Sequence, residues 1–170
     1  MKDHQRIGMT TTSEPLEITI GRLLTARNLT LSVAESCTGG LIMHRITNIA
    51  GSSAYLMGGM VVYGYAAKVK FAGVQQSTLE KYGAVSAETA TEMARGVRAA
   101  YETDLAISVT GIAGPGGGMP NKPVGLVYIA LDAASGTQVE RHIWQSDREG
   151  NKALSAEAAL ALLHRHLTEA

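Results

Sequence analysis

One cysteine, one tryptophan, one phenylalanine and four prolines among 170 residues leave this chain with few of the devices that staple small proteins. Cys37 alone cannot close an internal disulfide, and no CxxC or Cys/His grouping accompanies it, so no structural zinc or other metal is expected. Neither sign of charge is in excess, with 15 Lys plus Arg against 15 Asp plus Glu, so no bulk positive field exists to hold a phosphate backbone. Nucleic acid is therefore not an expected partner. A long hydrophobic run is also missing. The most apolar stretch, from Ala54 to Tyr65, is broken by glycines and too short to span a bilayer as a helix, so no membrane association is expected and the stretch reads as a buried strand. The opening MKDHQRIGMTTT lacks the apolar core of a signal peptide. Residues 1–14 accordingly read as a flexible tail, and the cytoplasm is the expected compartment.

What is present is ordinary globular material. Hydrophobic residues make up 45% and charged residues 18%, enough for one well-buried domain over residues 15–170. Leu16, Ile20, Leu23 and Leu24 have the spacing of one helical face between Pro15 and Asn28. Thr30 to Ala34 reads as a short strand that runs through ESCTGG into a helical pattern from Leu41 to Ile49. A second strand is expected over Leu56 to Tyr63, then a short lysine-bearing helix through Phe71. Ser86 opens a longer helix to Tyr101, with Ala87, Ala90, Met93, Ala94 and Val97 inward. Leu105 to Val109 is an apolar strand ending at a glycine-rich loop, and Val124 to Leu131 with Thr137 to Trp144 reads as a hairpin. Ser146 and Glu149 fit a capping box for the last helix. Helices alternating with apolar strands, plus a terminal hairpin, predict a three-layer α/β/α sandwich around a mixed, mainly parallel sheet.

Three clusters could carry chemistry. ESCTGG places Ser36 just past the carboxyl end of a strand, the edge where open α/β sheets bind ligands. Gly39 and Gly40 allow close backbone approach, and the following helix would aim its free N–H groups at an oxyanion or phosphate. A tight turn in which Ser36 or Thr38 merely caps that helix fits the same residues. A serine nucleophile needs a base, and none of His4, His44, His142, His164 or His166 falls at a strand-to-loop junction. Lys68 follows the second strand and would supply a neutral amine if buried, though as a solvated helix lysine it would do nothing. The third cluster, VTGIAGPGGGMPNKPVG, puts Thr110 at a strand end and offers glycines to wrap a phosphate-bearing ligand. It is neither GxxxxGK[ST] nor a GxGxxG that opens a helix, so the familiar ATP and NAD motifs are absent.

Taken together, SVAESCTGGLI, ITNIAGSSAYLMGGMVVYGYAAKVKFAGV, YGAVSAETATEMARGV and AISVTGIAGPGGGMPNKPVGLVYIAL resemble the CinA C-terminal domain and the stand-alone nicotinamide-nucleotide amidases. The blocks run from about Leu31 to Leu131. The resemblance implies a three-layer α/β/α domain that hydrolyses nicotinamide mononucleotide to nicotinic acid mononucleotide and ammonia, without metal or organic cofactor, in pyridine-nucleotide salvage. It implies Ser36 as nucleophile, Lys68 as base, and Tyr63 and Thr110 beside them. Backbone N–H groups from Cys37 through Thr38 and Gly39 to Gly40 would receive the oxyanion. Gly111, Gly114, Gly116, Arg148 and Lys152 would hold the nucleotide, and a homodimer is expected. Two features depart from the family pattern. Tyr63-Gly64-Tyr65-Ala66 stands where Tyr-Ser-Asn is common, and Lys152 stands where a second arginine follows Asp-Arg. These departures leave open an amidase for another small amide, or a nucleotide-binding sensor without turnover. A cysteine hydrolase using Cys37 would need a histidine partner that the sequence does not place.

Overall fold

The alternation of strand-forming and helix-forming segments becomes five strands and six α-helices in a computed structural model that describes residues 14–169. In chain order these are α1 (Leu16–Arg27), β1 (Leu31–Glu35), α2 (Leu41–Thr47), β2 (Leu56–Val61), α3 (Tyr65–Ala72), α4 (Gln76–Tyr82), α5 (Ala87–Tyr101), β3 (Leu105–Gly111), β4 (Leu126–Ala133), β5 (Gly136–Ile143) and α6 (Arg148–Glu169). The expected tail lies outside the described residues except for Glu14. Among the described residues, no helix is long and apolar enough to cross a membrane.

The sheet is mixed, in the order β2-β1-β3-β4-β5. β1 pairs in parallel with both β2 and β3, while β4 is antiparallel to β3 and to β5, so four of the five strands point the same way. Helices α1, α2 and α6 cover one face and α3, α4 and α5 the other. The period-2 alternation of β-strands explains the two faces. Leu31 and Val33 of β1, Leu105, Ile107 and Val109 of β3, and Val127, Ile129 and Leu131 of β4 pack in one large cluster with Leu160, Leu163 and Leu167 of α6. The opposite face carries small residues, Ala34, Ala106 and Ala130, against Ala90, Met93, Ala94 and Val97 of α5. That smallness lets α5 lie close enough for the Ser108 hydroxyl to donate to the Ala90 carbonyl at 2.6 Å.

Three local expectations are corrected. β2 is an edge strand with Met57 and Val61 exposed, so its apolar sequence does not mean burial. The last helix is capped by Asp147, whose Oδ1 accepts the Gly150 N–H at 2.7 Å, because Ser146 sits one residue too early. Helix α4 follows α3 after three intervening residues, and the sequence reading had no element there.

Candidate active site

Serine 36 leaves the sheet while still attached to it. Its N–H donates to the Val109 carbonyl of β3 at 3.0 Å, so the loop starts at the carboxyl edge between β1 and β3. The preceding residue, Glu35, is fully buried; its Oε2 accepts the N–H groups of Gly40 (2.9 Å) and Ile42 (3.2 Å), and its Oε1 that of Met43 (2.9 Å). A carboxylate there satisfies the first turn of α2 and has the favourable sign for its dipole. The expectation that this helix end greets an oxyanion is thereby corrected. The Gly40 N–H goes to Glu35, and the Gly39 N–H goes to the Ser36 carbonyl at 3.1 Å. Within this loop the N–H groups of Cys37 and Thr38 and the buried Thr38 hydroxyl have no partner among the described residues. The sequence reading passed over Glu35. Its signal was a carboxylate placed between an apolar strand and a helix start without a side-chain cap of its own.

Lysine 68 sits one turn into α3, and helix geometry throws its side chain back toward the N-terminal end, beneath the loop. It is 1% exposed. Its Nζ donates to Ser36 Oγ at 2.9 Å and to the carbonyls of Val62 and Tyr63 at 2.7 and 3.1 Å. No carboxylate is among these partners, and burial lowers the ammonium from its usual 10.5 to about 8. A neutral amine has two N–H bonds and one lone pair. The two carbonyls take the N–H bonds, which leaves the lone pair for the hydroxyl proton of Ser36.

Tyr63 contributes its main-chain carbonyl to Lys68, while its 62% exposed side chain reaches elsewhere: the phenol oxygen accepts from Arg148 Nη2 at 3.1 Å. Thr110 bonds neither Ser36 nor Lys68. Its hydroxyl donates to the Ala84 carbonyl at 2.7 Å and so ties β3 to the segment that links α4 to α5. That segment and the glycine loop after β3 form the walls of a cleft of about 250 Å³ that also exposes Ser36, Cys37, Lys68 and Tyr63. Gly111, Gly114, Gly116 and Arg148 line it as well. Thr38, Gly39, Gly40 and Lys152 do not, and the Lys152 amine lies over Gly39, 3.9 Å from where a Cβ there would sit. Tyr65, at the first family departure, begins α3 and its phenol accepts the Ala84 N–H at 3.5 Å. Four hollows of larger volume, about 550, 590, 300 and 310 Å³, lie near Arg95 or Tyr55 and include neither Ser36 nor Lys68.

Burial pushes the Cys37 thiol up to about 11, so it is not a thiolate at neutral pH. No histidine lines the cleft, and no group of three His, Cys, Asp or Glu with metal-binding proximity occurs among the described residues. Residues 13–167 match the CinA C-terminal domain. The chain belongs to that family. A CinA-like protein of Chloroherpeton thalassium is 52% identical over 161 residues, which cover 92% of this chain and 38% of that protein. The chain thus spans well under half the length of such curated relatives. Among solved structures, the competence/damage inducible protein CihA of Agrobacterium tumefaciens is 39% identical with a TM-score of 0.85, covering 94% of this chain and 99% of that one. A CinA superfamily protein of Enterobacter cloacae is 30% identical with a TM-score of 0.88, covering 98% and 99%. Both likenesses carry the α/β fold of the CinA superfamily across nearly the whole described chain.

Proposed function

We propose that this CinA-family domain is a serine amidohydrolase that converts nicotinamide mononucleotide and water to nicotinic acid mononucleotide and ammonia. The observation that carries this reading is the buried 2.9 Å contact between Lys68 Nζ and Ser36 Oγ, with both remaining amine valences held by carbonyls. Neutral Lys68 takes the hydroxyl proton as Oγ attacks the carboxamide carbon. The tetrahedral intermediate collapses when the C–N bond breaks. Lys68 returns its proton to the departing nitrogen, ammonia leaves, and an ester to Ser36 remains. Water, deprotonated by Lys68, then attacks the ester carbonyl. The acid is released and Ser36 recovers its proton. Each developing oxyanion needs donors close to Ser36, and the partner-free N–H groups of Cys37 and Thr38 are candidates on the nucleophile's own loop.

Arg148 supports a nucleotide as substrate. It stands at the cleft with only neutral acceptors on its guanidinium, and among the described residues no carboxylate lies within ion-pair distance of it. The test is direct. Purified protein incubated with nicotinamide mononucleotide should release ammonia and nicotinic acid mononucleotide in equal amounts. A folded preparation that binds the nucleotide and yields neither product refutes the amidase.

A further inference from the structure

The glycine loop that walls the cleft is held from behind by the first turns of α6. Asn151 is 1% exposed and does not line the cleft. Its Oδ1 accepts the main-chain N–H of Ser146 at 3.1 Å, which leaves Nδ2 to donate to the Ala113 carbonyl at 3.0 Å. One residue further along the loop, Arg148 Nη1 donates to the Gly114 carbonyl at 2.6 Å. Two consecutive carbonyls are therefore pulled toward α6. The Ala113–Gly114 peptide is trans, and in a trans peptide the N–H points opposite to the C=O. With the Ala113 carbonyl turned onto Asn151, the Gly114 N–H points away from Asn151, and both Ala113 and Gly114 line the cleft. It has no partner among the described residues, and Pro115 after it has no N–H to offer. The site also demands glycine: φ at Gly114 is +86°, and a Cβ would meet Val124 Cγ1 at 2.5 Å.

We propose that Asn151 is a positioning residue of this cleft, fixing the Gly114 N–H as a preformed hydrogen-bond donor to an acceptor oxygen of the bound substrate. The proposal rests on the amidase reading for its kinetic test but not for its geometric one. A donor locked through a buried amide costs no reordering when substrate binds, which is what preorganisation supplies. The helix that carries Asn151 enters no step of the chemistry itself.

Two substitutions separate positioning from packing. Asn151→Asp keeps the shape and the acceptor for Ser146, but an ionised carboxylate repels the Ala113 carbonyl where the amide attracted it. Its protonated form can donate again. The ratio of wild-type to Asn151→Asp kcat/KM should therefore climb with pH, reaching about 10- to 100-fold at pH 8, the scale of one lost donor. Asn151→Ser, which is too short to reach, should lose a similar factor at every pH and keep the rate midpoint near 8 that belongs to Lys68. A folded Asn151→Ser with wild-type kcat/KM overturns the proposal, and this variant decides the matter if Asn151→Asp does not fold. Independently of any activity, labelled wild-type protein should show nuclear Overhauser contacts from the Gly114 amide proton to side-chain protons of Tyr63, Lys68 or Cys37 across the cleft. Contacts to Asn151 in their place would refute the orientation even if the protein proves to be an active amidase. An inactive wild type with the cleft-facing contacts present would sink the amidase and leave the positioning intact.

Discussion

In the proposed mechanism Lys68 serves as a base only while it is neutral, so its replacement by arginine is the sharpest perturbation of the dyad. A lysine titrating at about 8 is neutral in about one molecule in ten at pH 7, against about three in ten thousand at its ordinary 10.5. Burial without a carboxylate partner thus raises the population of competent base about 300-fold at neutral pH. The rate should rise nearly tenfold per unit below pH 7 and level off above about pH 9. Lys68→Arg keeps the positive charge but stays protonated at every working pH, so it should lose at least about three orders of magnitude and match Lys68→Ala. The assay is ammonia release from pH 6 to 10, with circular dichroism to confirm folding. An arginine variant within tenfold of wild type, or a wild-type rate flat across that range, refutes the serine-lysine dyad. Stability gives a second readout of the same shift. Because the folded-state value lies below the unfolded one, the unfolded chain binds more protons between pH 8 and 10.5, and stability from this group rises across that window. Relative to Lys68→Met, wild type should gain up to about 3 kcal/mol from pH 8 to 10.5 in urea denaturation.

Three further outcomes follow from the same geometry. Ser36→Ala should lose at least about a thousandfold in turnover while binding nucleotide within a few-fold of wild type by calorimetry, and a near wild-type rate would identify another nucleophile. Cys37→Ala should stay within about threefold of wild-type activity, because a buried thiol held near 11 does no nucleophilic work at neutral pH; a collapse of turnover in a folded variant would reinstate the cysteine. Gly96→Ala should cost at least about 2 kcal/mol in denaturant titration, since its Cβ would lie 1.7 Å from the Ala72 carbonyl oxygen where α5 crosses the end of α3; an unchanged midpoint would contradict that packing.

The parts of this fold legible from the sequence are those written in periodicity. The apolar faces of α1 and α5 and the uninterrupted run of β3 each announce their own burial, and each expected position falls within two residues of the observed one. Edge and centre are another matter. LMGGMV reads like a buried strand because its exposure is decided by β2 having a neighbour on one side only, a property of topology rather than of the six residues. Ser36 and Lys68, 32 residues apart in sequence, likewise meet because β1 and β2 lie side by side in parallel. Histidines could be set aside by position alone, whereas choosing between a solvated and a buried Lys68 required knowing what covers α3. Glu35 and Asn151 escaped notice for a common reason. Each acts on main-chain groups, and a side chain that satisfies backbone atoms leaves no motif of paired reactive residues.

Glu35 also bears on which charge the cleft prefers. Its carboxylate occupies the positive end of α2, so the helix dipole that ESCTGG might have turned on an anion is already neutralised beside Ser36. An anionic group on the substrate must then find its counter-charge elsewhere. Under the proposed function Arg148 supplies it, since its guanidinium rests on the Gly114 carbonyl and the Tyr63 phenol, which are neutral and can be exchanged for phosphate oxygens. A charge-assisted contact of this kind is worth about 1.5–3 kcal/mol, or about 10- to 100-fold. Nicotinamide mononucleotide should therefore surpass its dephosphorylated nucleoside by that factor in kcat/KM. Arg148→Gln should reduce the gap by slowing the nucleotide while leaving the nucleoside within about threefold. Measuring both substrates on both proteins closes a double comparison, and equal losses for nucleotide and nucleoside would assign Arg148 to holding the loop rather than to the phosphate.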